Sequence, residues 1–160
     1  MTSSPTISAL LCTHNRAALL PDVLHALSAQ TLPDDQFEVV IIDDGSEDES
    51  REIIQAFPNG RCNFRYAYQR NSGLANAKNH GLFLCRAPLV VFLDDDDVAS
   101  PGLLETHLLA HRRHPKLTDA VLGYTAMAPA IASDLLMHFV SEVEGLLFCY
   151  SGLKHGDVLD

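Results

Sequence analysis

Leu89-Val90-Val91-Phe92-Leu93-Asp94-Asp95-Asp96-Asp97 sets five apolar residues directly against four carboxylates. Pro88, which cannot donate to a ladder, marks the start of a strand. An unbroken apolar run of this length reads as a strand buried on both faces, the habit of parallel sheets, and predicts a central place in the sheet. The carboxylates that follow repel one another strongly beside a low-dielectric core unless something positive sits among them. In extended backbone Asp94 and Asp96 project to one side, Asp95 and Asp97 to the other. An Asp-x-Asp pair on one face suits a hard divalent cation, Mg²⁺ or Mn²⁺, that keeps waters and also takes substrate phosphates. The competing reading is an acidic surface loop in which Asp97 and Ser100 open the next helix; phosphatases and calcium sites also cluster aspartates.

Upstream and downstream, short apolar runs alternate with segments of helical period, the pattern of parallel α/β proteins. Ile7 to Cys12 reads as the first strand. Leu19, Leu20, Val23, Leu24 and Leu27 recur at helical spacing, predicting a helix over 19–29 with Pro21 tolerated in its first turn. Phe37 to Ile42 is the second strand, and Ser46 with Glu49 forms a capping box for a helix reaching Phe57. Phe64 to Tyr68 is a third strand, and Asn71 or Ser72 caps a helix reaching Cys85. Ser100 and Pro101 open a helix that ends at His114. Ala120 to Tyr124 reads as one more strand and Ser133 to Phe148 as one more helix.

A length of 160 residues fits one domain over residues 7–160 behind a flexible N-terminus, residues 1–6. That leader lacks the basic start and apolar middle of a signal peptide. With 21 acidic against 11 basic residues the net charge is −10, which argues against nucleic acid or an acidic membrane as a broad-surface partner. Cys12, Cys62, Cys85 and Cys149 form no Cys-x-x-Cys pair, and a reduced, cytoplasmic setting follows. Ile131 to Tyr150 is apolar, but Asp134, His138, Glu142 and Glu144 interrupt it, so no membrane span is expected. Its exposed apolar surface instead points to packing against further sequence or to a homo-oligomer. His107 and His111 share a helix face without a further ligand nearby and read as structural.

Ligands of open α/β sheets bind outside the carboxyl ends of the strands, so the other strand-end loops matter. The first carries Thr13-His14-Asn15-Arg16, where His14 can stack on a base and the others offer hydrogen bonds and charge. The second carries Asp43-Asp44-Gly45-Ser46, where a carboxylate can hold a ribose hydroxyl or a base N–H, although Asp-Gly is also ordinary turn chemistry. The third, Gln69 to Gly73, leads into a helix bearing Asn76, Lys78 and Asn79. Free N–H groups at that helix start, the glycine and the flanking Arg70 and Lys78 make it a candidate receiver of a diphosphate.

Four segments in this order resemble the family-2 glycosyltransferases of GT-A fold: Cys12 to Arg16, Val40 to Ser46, Asn71-Ser72-Gly73 through Ala77-Lys78-Asn79-His80-Gly81, and Phe92 to Asp97 with Pro101. The likeness spans roughly Ile7 to Tyr124. It implies a Rossmann-like, mostly parallel sheet flanked by helices, truncated at its C-terminal side, and a nucleotide-diphosphate sugar as donor, with a UDP-sugar favoured. By the same resemblance Thr13 and Arg16 border the nucleotide with His14 and Asn15. Asp44, with Asp43, holds base or ribose, while Gly73, Lys78, Asp94 and Asp95 complete the donor site. Asp94 and Asp96 take the metal, Asp96 as the direct ligand. The family commonly has an aromatic residue where His14 stands and arginine where Lys78 stands; lysine keeps the charge but not the bidentate grip.

The implied reaction is attack of an acceptor hydroxyl on the anomeric carbon, with inversion, while the metal stabilises charge on the leaving diphosphate. A carboxylate base is needed at the acceptor, and none of Asp119, Asp134, Glu142, Glu144, Asp157 or Asp160 sits in a segment like the family's base motif. The expectation is the N-terminal part of a longer enzyme, with the base outside it and the acceptor unknown. Competing functions are a non-catalytic nucleotide-sugar or metal-binding module and a nucleotidyltransferase. Ala9 to Leu20 lacks the glycine-rich basic loop that the latter requires. An aspartyl-phosphate signalling domain would need a lysine on a later strand, and none is offered.

Overall fold

A computed structural model describes residues 4–58 and 63–128. The chain divides into two compact units, residues 1–121 and 122–160. The first unit carries, in order, β1 (Ile7–Thr13), α1 (Leu20–Ser28), β2 (Phe37–Asp44), α2 (Ser50–Ala56), β3 (Asn63–Gln69), α3 (Leu74–Leu84), β4 (Leu89–Leu93) and α4 (Leu103–Arg113). The strands form one parallel sheet in the order β3-β2-β1-β4. This is the α/β architecture with flanking helices that the alternating pattern implied.

Every residue of β1 and β2 is buried, and among the described residues these two are the central strands. The apolar run of β4 pairs only with β1 among the described residues. Val91 and Leu93 enter the core, but Phe92 on the other face is 47% exposed. Uniform apolarity tells that a strand is buried on at least one face; it cannot separate a centre from an edge.

Alternate side chains divide between two layers. Ile7, Ala9 and Leu11 of β1 pack with Val39 and Ile41 of β2 against Leu20, Val23, Leu24 and Leu27 of α1, Ile54 of α2 and Leu104 of α4. The i, i+3, i+4, i+7 spacing of the α1 residues aims all of them at the sheet, and each contributes roughly 1.5–3 kcal/mol relative to exposure. On the opposite face Leu10, Cys12, Val40 and Ile42 meet Ala77 of α3. Gly81 lets α3 lie this close: a Cβ there would stand 2.2 Å from Leu10 Cδ1.

The helix starts differ from the local capping patterns. Ser46 does not cap α2, which begins at Ser50 without a side-chain cap; its Oγ accepts from the Asn15 amide instead. Neither Asn71 nor Ser72 caps α3, whose N-cap is Gly73 at φ 89°. The amides of Ser72 and Gly73 both donate to the Asp44 carboxylate. Ser100 does not cap α4; the Leu104 amide donates to Gln30 Oε1, and Gln30 Nε2 also reaches the Ser100 carbonyl. At α3 and α4 a residue distant in sequence outcompetes the neighbouring hydroxyl or amide for groups of the helix end, while at α2 the Ser50 amide donates to Asp48 Oδ1.

Glu38 is a buried carboxylate inside β2, accepting from Ser8 Oγ, Arg65 Nη1 and the Arg86 amide. Burial pushes its carboxyl up, but those three donors and the Arg65 charge outweigh it and hold it below its ordinary value. The described residues of the second unit, 122–128, have no helix or strand. The strand expected at Ala120 to Tyr124 does not form: Leu122 and Tyr124 are exposed, and a strand without a buried face has little to hold it. The helix expected at Ser133 to Phe148, and the apolar surface read as an oligomer contact, lie outside the described residues.

Candidate functional site

Parallel register brings the carboxyl ends of the strands to one edge, with Thr13 beside Asp43, Asp44 beside Gln69, and Leu11 beside Leu93, the residue before the aspartates. Thr13, His14, Arg16, Asp43, Asp44, Gly73 and Asp94 to Asp97 therefore emerge around a single rim. The strand ends place these residues together; the loops differ in how much of each is left free for a ligand.

The β1–α1 and β2–α2 loops are stitched to each other. Asn15 takes a left-handed conformation, φ 54°, tolerable for its short polar side chain, and its Oδ1 accepts from the Glu47 amide. The Arg16 amide donates to Ser50 Oγ and the Ala17 amide to Asp48 Oδ2. Asn15 is thus engaged in holding the loops, while the Arg16 side chain extends from them to Asp95, Nε to Oδ1 3.7 Å. His14 is exposed, its ring within 3.1 Å of Asn15 Nδ2 and 3.3 Å of Asn71 Nδ2.

Asp43 and Asp44 are both buried. Asp43 accepts from Tyr66 Oη at 2.9 Å and from the Ser46 amide at 2.8 Å. Burial, followed by this bond to a carboxylate, pushes the Tyr66 phenol far up. Asp44 accepts from Gln69 Nε2, the Ser72 amide and the Gly73 amide at 2.7–2.9 Å. Burial raises its carboxyl, but the donors from Gln69, Ser72 and Gly73 prevail and hold it below its ordinary value. The amides of Ser72 and Gly73 expected to be free for a diphosphate are therefore taken by Asp44. Gly45 makes this close approach possible: at φ 79°, a Cβ would lie 2.6 Å from the Asn71 nitrogen.

The aspartate run is a turn, not an extension of β4. The Asp97 amide donates to the Asp94 carbonyl at 3.1 Å, so the strand alternation expected of the four side chains does not apply. Exposure alternates nonetheless, with Asp94 and Asp96 exposed and Asp95 and Asp97 half-buried. Lys78 Nζ lies 3.7 Å from Asp94 Oδ1 and 5.7 Å from the centre of the Phe92 ring. Asp96 makes no hydrogen bond or ion pair among the described residues. Burial, reinforced by the charges of Asp94 and Asp96, raises the Asp97 carboxyl against an opposing backbone hydrogen bond.

Two exposed oxygen donors fit a hard cation that retains water and shares phosphate oxygens with a substrate. They do not make an all-protein cage: no group of three His, Cys, Asp or Glu side chains converges among the described residues. The same holds for the histidines of α4. His107 is buried, and burial, then repulsion from His111, lowers its pKa, as expected of a neutral core histidine.

Thr13 Oγ1 is the one buried side-chain polar atom among the described residues that has no hydrogen-bond partner. A buried hydroxyl left unpaired is costly, and this one lies at the rim where the strand ends meet. Beside it, burial pushes the Cys12 thiol to about 11, only partly offset by Lys78, so Cys12 serves as a small apolar residue. The sequence gives no sign of the roles of Tyr66, Gln69 and His80 behind the rim. Tyr66 and Gln69 lie far from Asp43 and Asp44 along the chain and meet them only through strand register, and His80 of α3 reaches Gln69 Oε1 at 2.8 Å.

A parallel sheet with helices on both faces and an Asp-x-Asp turn after β4 defines a domain of the GT-A class. The chain belongs to glycosyl transferase family 2, whose model matches residues 8–138. It is 39% identical over 121 residues to validoxylamine A glucosyltransferase of Streptomyces hygroscopicus, covering 74% of this chain and 28% of that protein. Among solved structures it is similar to S. aureus TarS in complex with UDP-GlcNAc, at TM-score 0.65 and 21% identity over 84% of this chain and 42% of that one. It is also similar to the mannosyltransferase PcManGT from Pyrobaculum calidifontis in complex with GDP-Man and Mn²⁺, at TM-score 0.55 and 26% identity, covering 59% of this chain and 28% of that one. The chain thus spans less than half the length of these relatives. No helix among the described residues is long and apolar enough to cross a membrane.

Proposed function

We propose that this chain is the donor-binding part of a glycosyltransferase that moves a sugar from a nucleotide diphosphate to an acceptor hydroxyl, with inversion. The observation that carries the reading is the single rim: the unpaired Thr13 hydroxyl, the exposed ring of His14 and the exposed carboxylates of Asp94 and Asp96 sit at the carboxyl ends of adjacent strands. A buried donor, a stacking surface and oxygen ligands are what a nucleotide diphosphate with a hard cation requires. The two structural relatives, one in complex with UDP-GlcNAc and the other with GDP-Man and Mn²⁺, support the same class of donor.

In this reading His14 stacks on the base, Thr13 donates to the nucleotide, and Asp44 acts beside base or ribose mainly by holding Ser72 and Gly73 in place. Asp94 and Asp96 hold Mn²⁺ or Mg²⁺, which when bound supplies the positive charge that stabilises the leaving diphosphate. Lys78 and Arg16 keep Asp94 and Asp95 from repelling each other in the free protein and lie close enough to meet phosphate oxygens. The base that activates the acceptor belongs to the remainder of the enzyme. UDP is the favoured nucleotide, and the setting is cytoplasmic.

The test is a thermal-shift panel of UDP, GDP and dTDP with and without Mn²⁺. A ligand at a hundred times its Kd adds about 2.7 kcal/mol, and a shift that needs both nucleotide and Mn²⁺ is expected. Asp96→Ala should abolish the metal-dependent part, whereas His111→Ala should leave it intact. If no nucleotide stabilises the protein in a metal-dependent way, the donor-site reading is wrong.

A further inference from the structure

We propose that His80 is a positioning residue for the donor pocket, acting through Gln69 to fix Ser72 as a hydrogen-bond donor toward the nucleotide. The inference rests on the donor-site reading above and assigns a role to a half-buried residue of α3 that lies behind the rim. It starts from Asp44. An ionised carboxylate can only accept, so the Gln69 group 2.7 Å from Asp44 Oδ1 is the amide nitrogen. The same nitrogen also reaches Ser72 Oγ at 2.8 Å.

With the nitrogen of Gln69 so committed, its oxygen is the group that faces His80 Nδ1 at 2.8 Å. An amide oxygen has no hydrogen to give, so Nδ1 carries one. The order of donation is then set along the whole chain of contacts: His80 Nδ1–H to Gln69 Oε1, Gln69 Nε2–H to Asp44 and Ser72. Ser72 Oγ, already accepting from Gln69, has its own hydrogen left to place. Among the described residues its one hydrogen-bond acceptor is Asp44 Oδ1 at 3.5 Å, a long bond to a carboxylate already supplied by three other donors and so readily exchanged. The hydrogen is available to an oxygen of the bound nucleotide, on the edge where Ser72 is exposed.

Without His80 the Gln69 oxygen has no anchor, and the amide is held only through its nitrogen. Asp44 keeps that nitrogen turned toward it, but the amide can swing about this bond and leave Ser72 Oγ, whose hydroxyl is then no longer held in the orientation that points its hydrogen outwards. Asp44 keeps its two backbone donors in that event, so α3 stays docked and the loss falls on recognition rather than on folding.

Two substitutions separate these effects. His80→Asn places an amide nitrogen close to where Nδ1 stands and retains a donor; His80→Leu keeps bulk and removes it. Titration calorimetry with UDP and Mn²⁺ on the 160-residue chain should show H80N within about twofold of the unsubstituted protein and H80L weaker by about five- to tenfold, the worth of one hydrogen bond. Ser72→Ala should cost a similar factor, and adding it to H80L should cost little more, because the two act through one bond. Denaturant midpoints of H80N and H80L should agree, a result that a purely structural histidine would not give. Long-range nitrogen–proton NMR of the neutral ring should place the hydrogen on Nδ1.

A hydrogen on Nε2 alone, or H80L binding UDP as tightly as the unsubstituted protein, overturns the proposal and leaves the donor site standing. Failure of the unsubstituted protein to bind UDP, GDP or dTDP overturns both.

Discussion

Replacing Thr13 by valine should make the free protein more stable and its nucleotide binding weaker. Thr13 ends β1 at 3% exposure, every other residue of that strand is buried, and its Oγ1 has no partner. A hydroxyl in that position has lost its water without gaining a bond, a penalty of roughly 1–3 kcal/mol. Valine has nearly the same shape, favours strands, and exchanges the hydroxyl for a methyl that gains from burial. We expect a gain of about 1–2 kcal/mol in urea unfolding at unchanged m-value, and a rise in Tm of roughly 2–4 °C per kcal/mol for a chain of this size. In the same protein the Kd for UDP with Mn²⁺ should rise about five- to tenfold, because the hydrogen bond that the ligand would complete is gone. Opposite signs in the two assays are the signature. A valine variant that is less stable than threonine would show that the hydroxyl is already bonded in the free protein, and unchanged UDP affinity would show that the hydroxyl serves no ligand.

Gly45→Ala should cost at least about 2 kcal/mol in denaturant unfolding, since it combines an unfavourable backbone conformation, φ 79°, with a Cβ 2.6 Å from the Asn71 nitrogen. An alanine variant within 0.5 kcal/mol, roughly the scatter of neutral surface changes, would mean the loops do not meet as described. Glu38 gives a pH dependence: its folded carboxyl is held below the ordinary 4.5, so the stability it contributes is fully present above that value and is lost as pH falls through the lower folded one. Glu38→Gln should flatten the fall in unfolding free energy over that acid window. At neutral pH it should cost about 3 kcal/mol, the lower end for breaking a buried pair because Arg65 is 28% exposed. A slope unchanged by the substitution would place the acid sensitivity elsewhere.

The order of strands and helices was legible because it follows from apolar period, which each segment carries within itself. Leu20, Val23, Leu24 and Leu27 need nothing outside α1 to declare its buried face. What was not legible lies between segments. Ser46, Ser72 and Ser100 each look like a helix cap in their local sequence, yet the starts of α3 and α4 are met by Asp44 and Gln30 from other parts of the chain and the start of α2 by Asp48. Sequence period is silent on lateral order, so β4 reads as central and stands at an edge among the described residues. The candidate site was legible as a set of strand-end residues, since parallel topology gathers such residues at one rim whatever their spacing. Their division into engaged and exposed groups was hidden, because Tyr66 and Gln69 reach Asp43 and Asp44, and His80 reaches Gln69, only after β3 and α3 have docked.

That division separates two kinds of carboxylate that look alike in sequence. Asp43 and Asp44 are consecutive, buried and supplied with donors by Tyr66, Ser46, Gln69, Ser72 and Gly73. A cation would find few free lone pairs there and would compete with five donors already in place. Asp94 and Asp96 are exposed, and among the described residues the Asp94 carboxylate meets only an ammonium at 3.7 Å, longer than a hydrogen bond. An exposed pair at that distance is worth little, so exchanging Lys78 for a divalent ion costs the fold almost nothing. In the proposed donor site the rigid carboxylates would build the pocket because they are satisfied, and the loosely held ones would accept a metal because they are not.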